Sequence, residues 1–115
     1  MMITMYGIPN CDTIKKAKKW LQEADINFDF HDYRKQGIDS ELVELFCQTL
    51  GWEQVLNKRG TTYRQLSAEQ KEALDEQSAV TLLVEYPAMI KRPILKVNDQ
   101  FYIGFKAPMY TDIFK

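Results

Sequence analysis

The sequence predicts an α/β domain, and three observations predict it. A short β-branched stretch runs through a turn into an amphipathic helix and then an alternating strand; the long middle is helical throughout; two more strands joined by a polar turn precede a final helix. The resulting order is β-α-β, helices, β-β-α. Its 115 residues are the usual size of one compact domain, so no domain boundary is expected within residues 1–115. Apolar residues make up 45% of the chain, enough for one core, and no apolar run approaches the ~20 residues that span a bilayer.

The elements follow in order. Ile3-Thr4-Met5-Tyr6 reads as a strand entering the turn Gly7-Ile8-Pro9-Asn10. From Ile14, apolar residues recur at Ala17, Trp20, Leu21 and Ala24 with the period of one buried helical face. Between them fall Lys15, Lys16, Lys18 and Lys19, of which the last three read as a solvated face. Phe28, Phe30 and Tyr33 alternate with polar residues, a second strand ending near His31. Leu42, Val43, Phe46, Cys47 and Leu50 form a helical stripe after Asp39-Ser40, and Gly51 stands where a C-terminal cap is favoured. Asn57–Thr62 is turn-like, Ser67-Ala68-Glu69-Gln70 has the capping-box pattern, and Ser78 is expected to cap a helix that turns Val80, Leu83 and Val84 inward before Pro87. Ile94–Val97 and Phe101–Phe105, joined by Asn98-Asp99-Gln100, read as an antiparallel hairpin, and Pro108 suits the first turn of a closing helix.

A β-α-β start implies two parallel strands joined by a right-handed crossover, with the hairpin extending the sheet antiparallel. The result is a mixed four-stranded sheet on the plan of a thioredoxin-like fold, with an inserted helical subdomain over about residues 38–88. The start of the chain lacks the charged and apolar regions of a secretory signal and its end lacks a lipidation box, so a cytoplasmic protein with no membrane attachment is expected. Fifteen basic residues against 16 acidic weigh against a general nucleic-acid binder. Nothing in the sequence demands more than a monomer.

In that setting a disulfide between Cys11 and Cys47 is not expected, because cytosolic thiols are kept reduced. One histidine and no CxxC or CxxH pair exclude the spacings of a zinc site, and no metal is expected. Cys47 lies on the apolar stripe and reads as core. His31 reads as a strand-end histidine rather than a base or ligand. Cys11 has two readings, an inert small hydrophobe or a reactive thiol, and its place at a strand-to-helix junction favours the second. There, free backbone N–H groups and the helix dipole favour the thiolate, which is the reactive form. Asp12 opposes them. The basic residues Lys15, Lys58, Arg59, Lys91, Arg92 and Lys106 belong to segments expected to gather around Cys11, while Glu69, Glu72, Asp75, Glu76 and Glu85 collect in the inserted helices. On its residues alone, Pro93 is an ordinary strand-entry proline.

Four segments in order, Cys11-Asp12-Thr13, Asn57–Tyr63, Met89–Ile94 and Gly104-Phe105-Lys106, carry a resemblance that spans essentially the whole chain. The sequence resembles the arsenate reductase ArsC/Spx family, most closely its YffB-type branch. The resemblance implies a thioredoxin fold, thiol chemistry coupled to glutathione or glutaredoxin as partners, and a cis-proline at Pro93 facing the cysteine. It makes Cys11 the catalytic nucleophile and glutathione a co-substrate, with no tightly bound cofactor. Arg92 and Lys15 would pair with glutathione carboxylates, Arg59 and Lys91 would assist, and Thr13 would donate toward the sulfur. Two departures stand out. Lys15 replaces the arginine of the Cys-Gly-Thr-Ser-Arg loop of family arsenate reductases, and a lysine cannot make the arginine's two-point contact. Ile14 takes the place of the second cysteine in the CxxC switch of Spx regulators. The leading expectation is therefore a single-cysteine, glutathione-dependent thiol reductase; arsenate reduction and a Spx-like protein-binding regulator are the alternatives.

Overall fold

The computed structural model describes residues 2–114. Strand β1 (Ile3–Gly7) is flanked on both sides. It pairs in parallel with β2 (Asp29–Asp32) and antiparallel with β3 (Ile94–Val97), which pairs antiparallel with β4 (Gln100–Ile103), giving the order β2-β1-β3-β4. Ile3, Met5 and Tyr6 are all buried, as expected of an inner strand covered on both faces. The fold is thus the mixed four-stranded α/β arrangement the sequence predicts. Helix α1 (Asp12–Glu23) is the crossover, and Ile14, Ala17 and Leu21 on its inner face are fully buried in a cluster with Met5 and Leu95. Lys18 departs from the expected solvated face: its ammonium lies 3.7 Å from the centre of the Phe30 ring, a cation–π contact that half-buries it.

Strand β2 ends at Asp32, close to the expected His31, and β4 ends earlier than expected, each for a local reason. Tyr33 does not continue β2 but opens the single turn α2 (Tyr33–Gln36). The carboxylate of Asp32 accepts from the Arg34 N–H at 2.9 Å, and the Asp32 N–H donates to the Gln36 side chain at 3.1 Å, so the backbone is drawn into a turn. Strand β4 stops at Ile103 rather than Phe105 because Gly104 takes φ +83°, which leaves the strand conformation. The hairpin itself turns at Asn98, whose φ of 55° is a conformation asparagine tolerates.

The chain divides into two compact units, one of residues up to Gln36 and from Arg92 onward, the other Gly37–Lys91. The second unit is helical. It contains α3 (Ser40–Leu50), α4 (Trp52–Val55), α5 (Thr61–Arg64), α6 (Ala68–Glu72), α7 (Glu76–Glu85) and a 3-10 turn at Pro87–Met89. Asp39 caps α3 by accepting from the Leu42 N–H, and Gly51 closes it with φ +90°. Helix α3 packs on α7, with Val43 and Phe46 of one and Ala79 and Leu83 of the other fully buried. The capping box at Ser67 and Gln70 forms as the pattern predicts. Ser78 does not cap α7. Asp75 does, and Ser78 is its third residue, its hydroxyl accepting from the Asp75 N–H and donating to the Ala73 carbonyl at 3.0 Å while its own N–H is held by the Asp75 carboxylate. A carboxylate three residues before a serine is the same box with the roles exchanged. The expected turn at Asn57 holds, with the Arg59 N–H on the Asn57 side chain at 3.1 Å, but the chain is already helical at Thr61.

The tight cluster around α1 predicts that Leu21→Ala, which leaves a cavity at a site with no solvent exposure, lowers unfolding stability by about 2–5 kcal/mol in urea titrations.

Candidate functional site

The sheet register brings three chain segments to one edge. Gly7 ends β1 opposite Asp32, the last residue of β2, and Tyr6 lies opposite Ile94, the first residue of β3. The loop from Gly7 leads to Cys11. The residue after β2 is Tyr33, and the two residues before β3 are Arg92 and Pro93, joined by a cis peptide bond. The carbonyl of Pro93 accepts from the Gly104 N–H at 2.9 Å, which ties the entry of β3 to the end of β4.

Cys11 is the N-cap of α1, in extended conformation, and its carbonyl accepts the first helical bond from the Lys15 N–H at 3.0 Å. Its half-buried sulfur faces the N–H groups of Thr13 and Ile14 without completing a capping hydrogen bond, and it takes a hydrogen bond from the Arg92 guanidinium. Burial is the largest single influence on this thiol and pushes its pKa up. The Ile14 N–H, the Arg92 hydrogen bond, the Thr13 N–H and the Arg92 charge together outweigh it, so the pKa falls below the ordinary thiol value. Asp12, expected to oppose the thiolate, is exposed and not among these influences.

Cys47 is the opposite case. It is 2% exposed on the inner face of α3, and burial, followed by the negative charge of Glu76, pushes its thiol up to about 11. Both cysteines are free.

Of the residues the sequence singles out, the structure brings Thr13, Arg92 and Pro93 to the edge that carries Cys11. Lys15 is on the first turn of α1 but exposed, and its backbone N–H bonds the Cys11 carbonyl. Arg59 and Lys91 belong to the helical unit. There the antiparallel bridge Leu56–Ile90 sets their two segments side by side, and with Asn57 and Lys58 they line a shallow surface cavity. His31 sits in β2, its ring 5.2 Å from that of Tyr6 and 6.1 Å from that of Tyr33. Tyr33 is the residue that sequence reasoning missed. It is 3% exposed and its hydroxyl has no hydrogen-bond partner among the described residues. The signal was present in the Asp32-Tyr33-Arg34 triplet, where aspartate two residues before a donor is a turn-former, but the aromatic alternation masked it. Among the described residues no three acidic, histidine or cysteine side chains gather as metal ligands, and no helix is long and apolar enough to cross a membrane.

The thiol arrangement predicts that alkylation by iodoacetamide at neutral pH labels Cys11 and spares Cys47. The rate at Cys11 rises with a midpoint below that of a free cysteine. In Arg92→Ala, which removes two of the influences that lower the pKa, the midpoint moves up; an unmoved midpoint would discard Arg92 as a stabiliser of the thiolate.

The geometry can be set beside known proteins. The family model described as the ArsC family matches residues 6–113. An uncharacterised protein of Haemophilus influenzae is 43% identical over 113 residues, which are 98% of this chain and 99% of that one. The solved structure of a protein named YffB superposes with a TM-score of 0.93 at 45% identity, covering 96% of this chain and 97% of its own. A solution structure from Brucella melitensis, described as an arsenate reductase (ArsC) related protein, matches with a TM-score of 0.81 at 44% identity over 100% of this chain and 96% of its own. With a family model spanning nearly its whole length and close relatives matched end to end, this chain belongs to the ArsC family.

Proposed function

We propose that the protein is a thiol–disulfide reductase that works through one nucleophilic cysteine, Cys11, with glutathione as co-substrate. The observation that carries this reading is the pair of opposed thiols: Cys11 is shifted toward its reactive form at a helix N-terminus beside Arg92, and Cys47 is buried and shifted away from it. Membership of a family with arsenate reductase-related members supports the reductase class.

In the first step the Cys11 thiolate attacks one sulfur of a substrate disulfide. A Cys11–substrate disulfide forms, the substrate S–S bond breaks, and the other substrate sulfur leaves as a thiolate that takes a proton from solvent. In the second, an external thiolate attacks the substrate sulfur of that mixed disulfide, which returns Cys11 as thiolate and carries the substrate away joined to the external thiol. The two electrons come from the external thiol. It has to be external because Ile14 stands where a resolving cysteine would and Cys47 is buried. A glutathione or glutaredoxin thiol in a reducing, cytoplasmic setting fits that need. Arg92 pairs with a glutathione carboxylate, a charge-assisted contact, and the Thr13 N–H supports the thiolate. Lys15 supplies further positive charge for the tripeptide, and Pro93 sets the entry of β3.

Arsenate reduction is the second reading, favoured by the description of the Brucella structure. Only Arg92 offers an arginine at the thiol, and the lysine at position 15 is exposed, so the disulfide reading is the stronger.

Mass spectrometry of the protein treated with glutathione disulfide is expected to find one glutathionyl group, on Cys11, and none on Cys47; Cys11→Ser takes up none and loses glutathione-dependent disulfide reduction by at least about a hundredfold. Reduction that survives Cys11→Ser would end the proposal. NADPH consumption coupled through glutathione and glutaredoxin, with arsenate as the only oxidant, tests the second reading, and a rate no higher than without the protein is the expected result.

A further inference from the structure

The buried hydroxyl of Tyr33 stands outside the mechanism above. Tyr33 follows directly on β2, at the same sheet edge as Cys11 and Arg92, because Gly7 is paired with Asp32 and Tyr6 with Ile94. Its side chain is 3% exposed and its hydroxyl oxygen has no partner among the described residues. A buried donor left unpaired is destabilising, and phenylalanine would fill the same space without it. Among the described residues, the cation that acts on this hydroxyl is Arg92, which also hydrogen-bonds the Cys11 sulfur.

A second tyrosine provides the contrast. The Tyr110 hydroxyl is also buried and without a partner among the described residues, but its ring lies among those of Trp20, Phe105 and Phe114, at centroid distances of 5.5, 4.7 and 6.3 Å, and burial is what acts on its pKa. The two buried hydroxyls thus differ in the Arg92 charge that acts on one of them.

We propose that the Tyr33 hydroxyl and the Arg92 guanidinium form a carboxylate subsite, which takes one carboxylate of an anionic thiol or disulfide substrate next to Cys11. The proposal rests on the reductase reading and deepens it by naming the substrate class. Both groups only donate toward such a ligand: the guanidinium has no acceptor, and the phenol, held neutral by burial, offers its proton. A carboxylate has two oxygens to accept them. For an anion to reach the buried Tyr33 hydroxyl, the half-buried Arg92 side chain has to shift on its flexible stem. The orphan then acquires its partner in the bound state, which gives tyrosine a use at this position that phenylalanine lacks. The subsite discriminates: a disulfide bearing carboxylates is favoured over a neutral one of similar reactivity.

Equilibrium binding of S-methylglutathione, which has both tripeptide carboxylates but no reactive thiol, tests the subsite without involving the chemistry of Cys11. Calorimetry with wild-type protein is expected to give saturable binding, weakened about tenfold in Tyr33→Phe by loss of a hydrogen bond to a charged group and unchanged in Tyr110→Phe. The thermal midpoint of Tyr33→Phe should equal or exceed that of the wild type, because an unpaired donor has been removed. With disulfides, Tyr33→Phe should raise the half-saturating concentration of glutathione disulfide without altering the limiting rate of Cys11 mixed-disulfide formation, and leave the reaction with bis(2-hydroxyethyl) disulfide unchanged. No binding by the wild type, equal loss in the two phenylalanine variants, equal effects on charged and neutral disulfides, or a fall in thermal stability of Tyr33→Phe would each overturn the subsite. Failure of the reductase reading looks different: binding of S-methylglutathione persists while Cys11 forms no mixed disulfide.

Discussion

Pairing on both sides of β1 is the constraint on which the rest of the first unit depends. A strand bonded in parallel to β2 and antiparallel to β3 has its register fixed twice, and a slip of one residue would move Met5 out of the core and reverse every neighbour. The same double pairing decides where three loops emerge. Because the carboxyl ends of β1 and β2 and the amino end of β3 coincide, residues far apart in sequence, Cys11, Tyr33 and Arg92, come to one edge. The chemistry is built on backbone that the hydrogen-bond ladder holds in place, with helix α1 anchored beneath by Ile14, Ala17 and Leu21.

Much of this was legible in the chain, because it depends on short-range pattern. The three-to-four-residue spacing of Ile14, Ala17 and Leu21 dictates the buried face of α1, and the position of Cys11 just before it dictates exposure to unpaired amides. What was not legible depends on partners distant in sequence or on rival local options. That Arg92 rather than Lys15 reaches the sulfur follows from the register of β3 against β1, which no spacing within the first loop encodes. The cap of α7 went to Asp75 because aspartate and serine are near-equal caps, and when both occur three residues apart the earlier one starts the helix and the later one completes the box. Tyr33 was hidden by its own hydrophobic alternation, the strand pattern yielding to hydrogen bonds of Asp32 and Gln36.

The near-neutral charge of the chain also resolves into two patterns. Residues 37–91 carry nine acidic side chains against five basic, and the remainder of the chain carries the basic surplus. The charges that matter at Cys11 are fewer than that surplus, a single guanidinium and two backbone amides, and they prevail because they lie against the sulfur while the exposed lysines of α1 are screened by solvent. Proximity and direction, rather than the number of cations, set the thiol's ionisation.

The uncompleted cap at Cys11 has an energetic corollary. A thiol whose pKa is lower in the folded chain than in the unfolded one stabilises the fold only when ionised; the contribution is complete above the unfolded value and disappears as pH falls through the folded one. In the proposed reductase cycle, joining the sulfur to a substrate removes its charge as surely as protonation does, and α1 loses the anion at its amino end. The free thiolate is therefore the partner the helix favours, and the mixed disulfide is held at higher energy with a good leaving group built in. In that proposed cycle an incomplete helix cap would act as a spring that returns the cysteine to its starting state after each encounter.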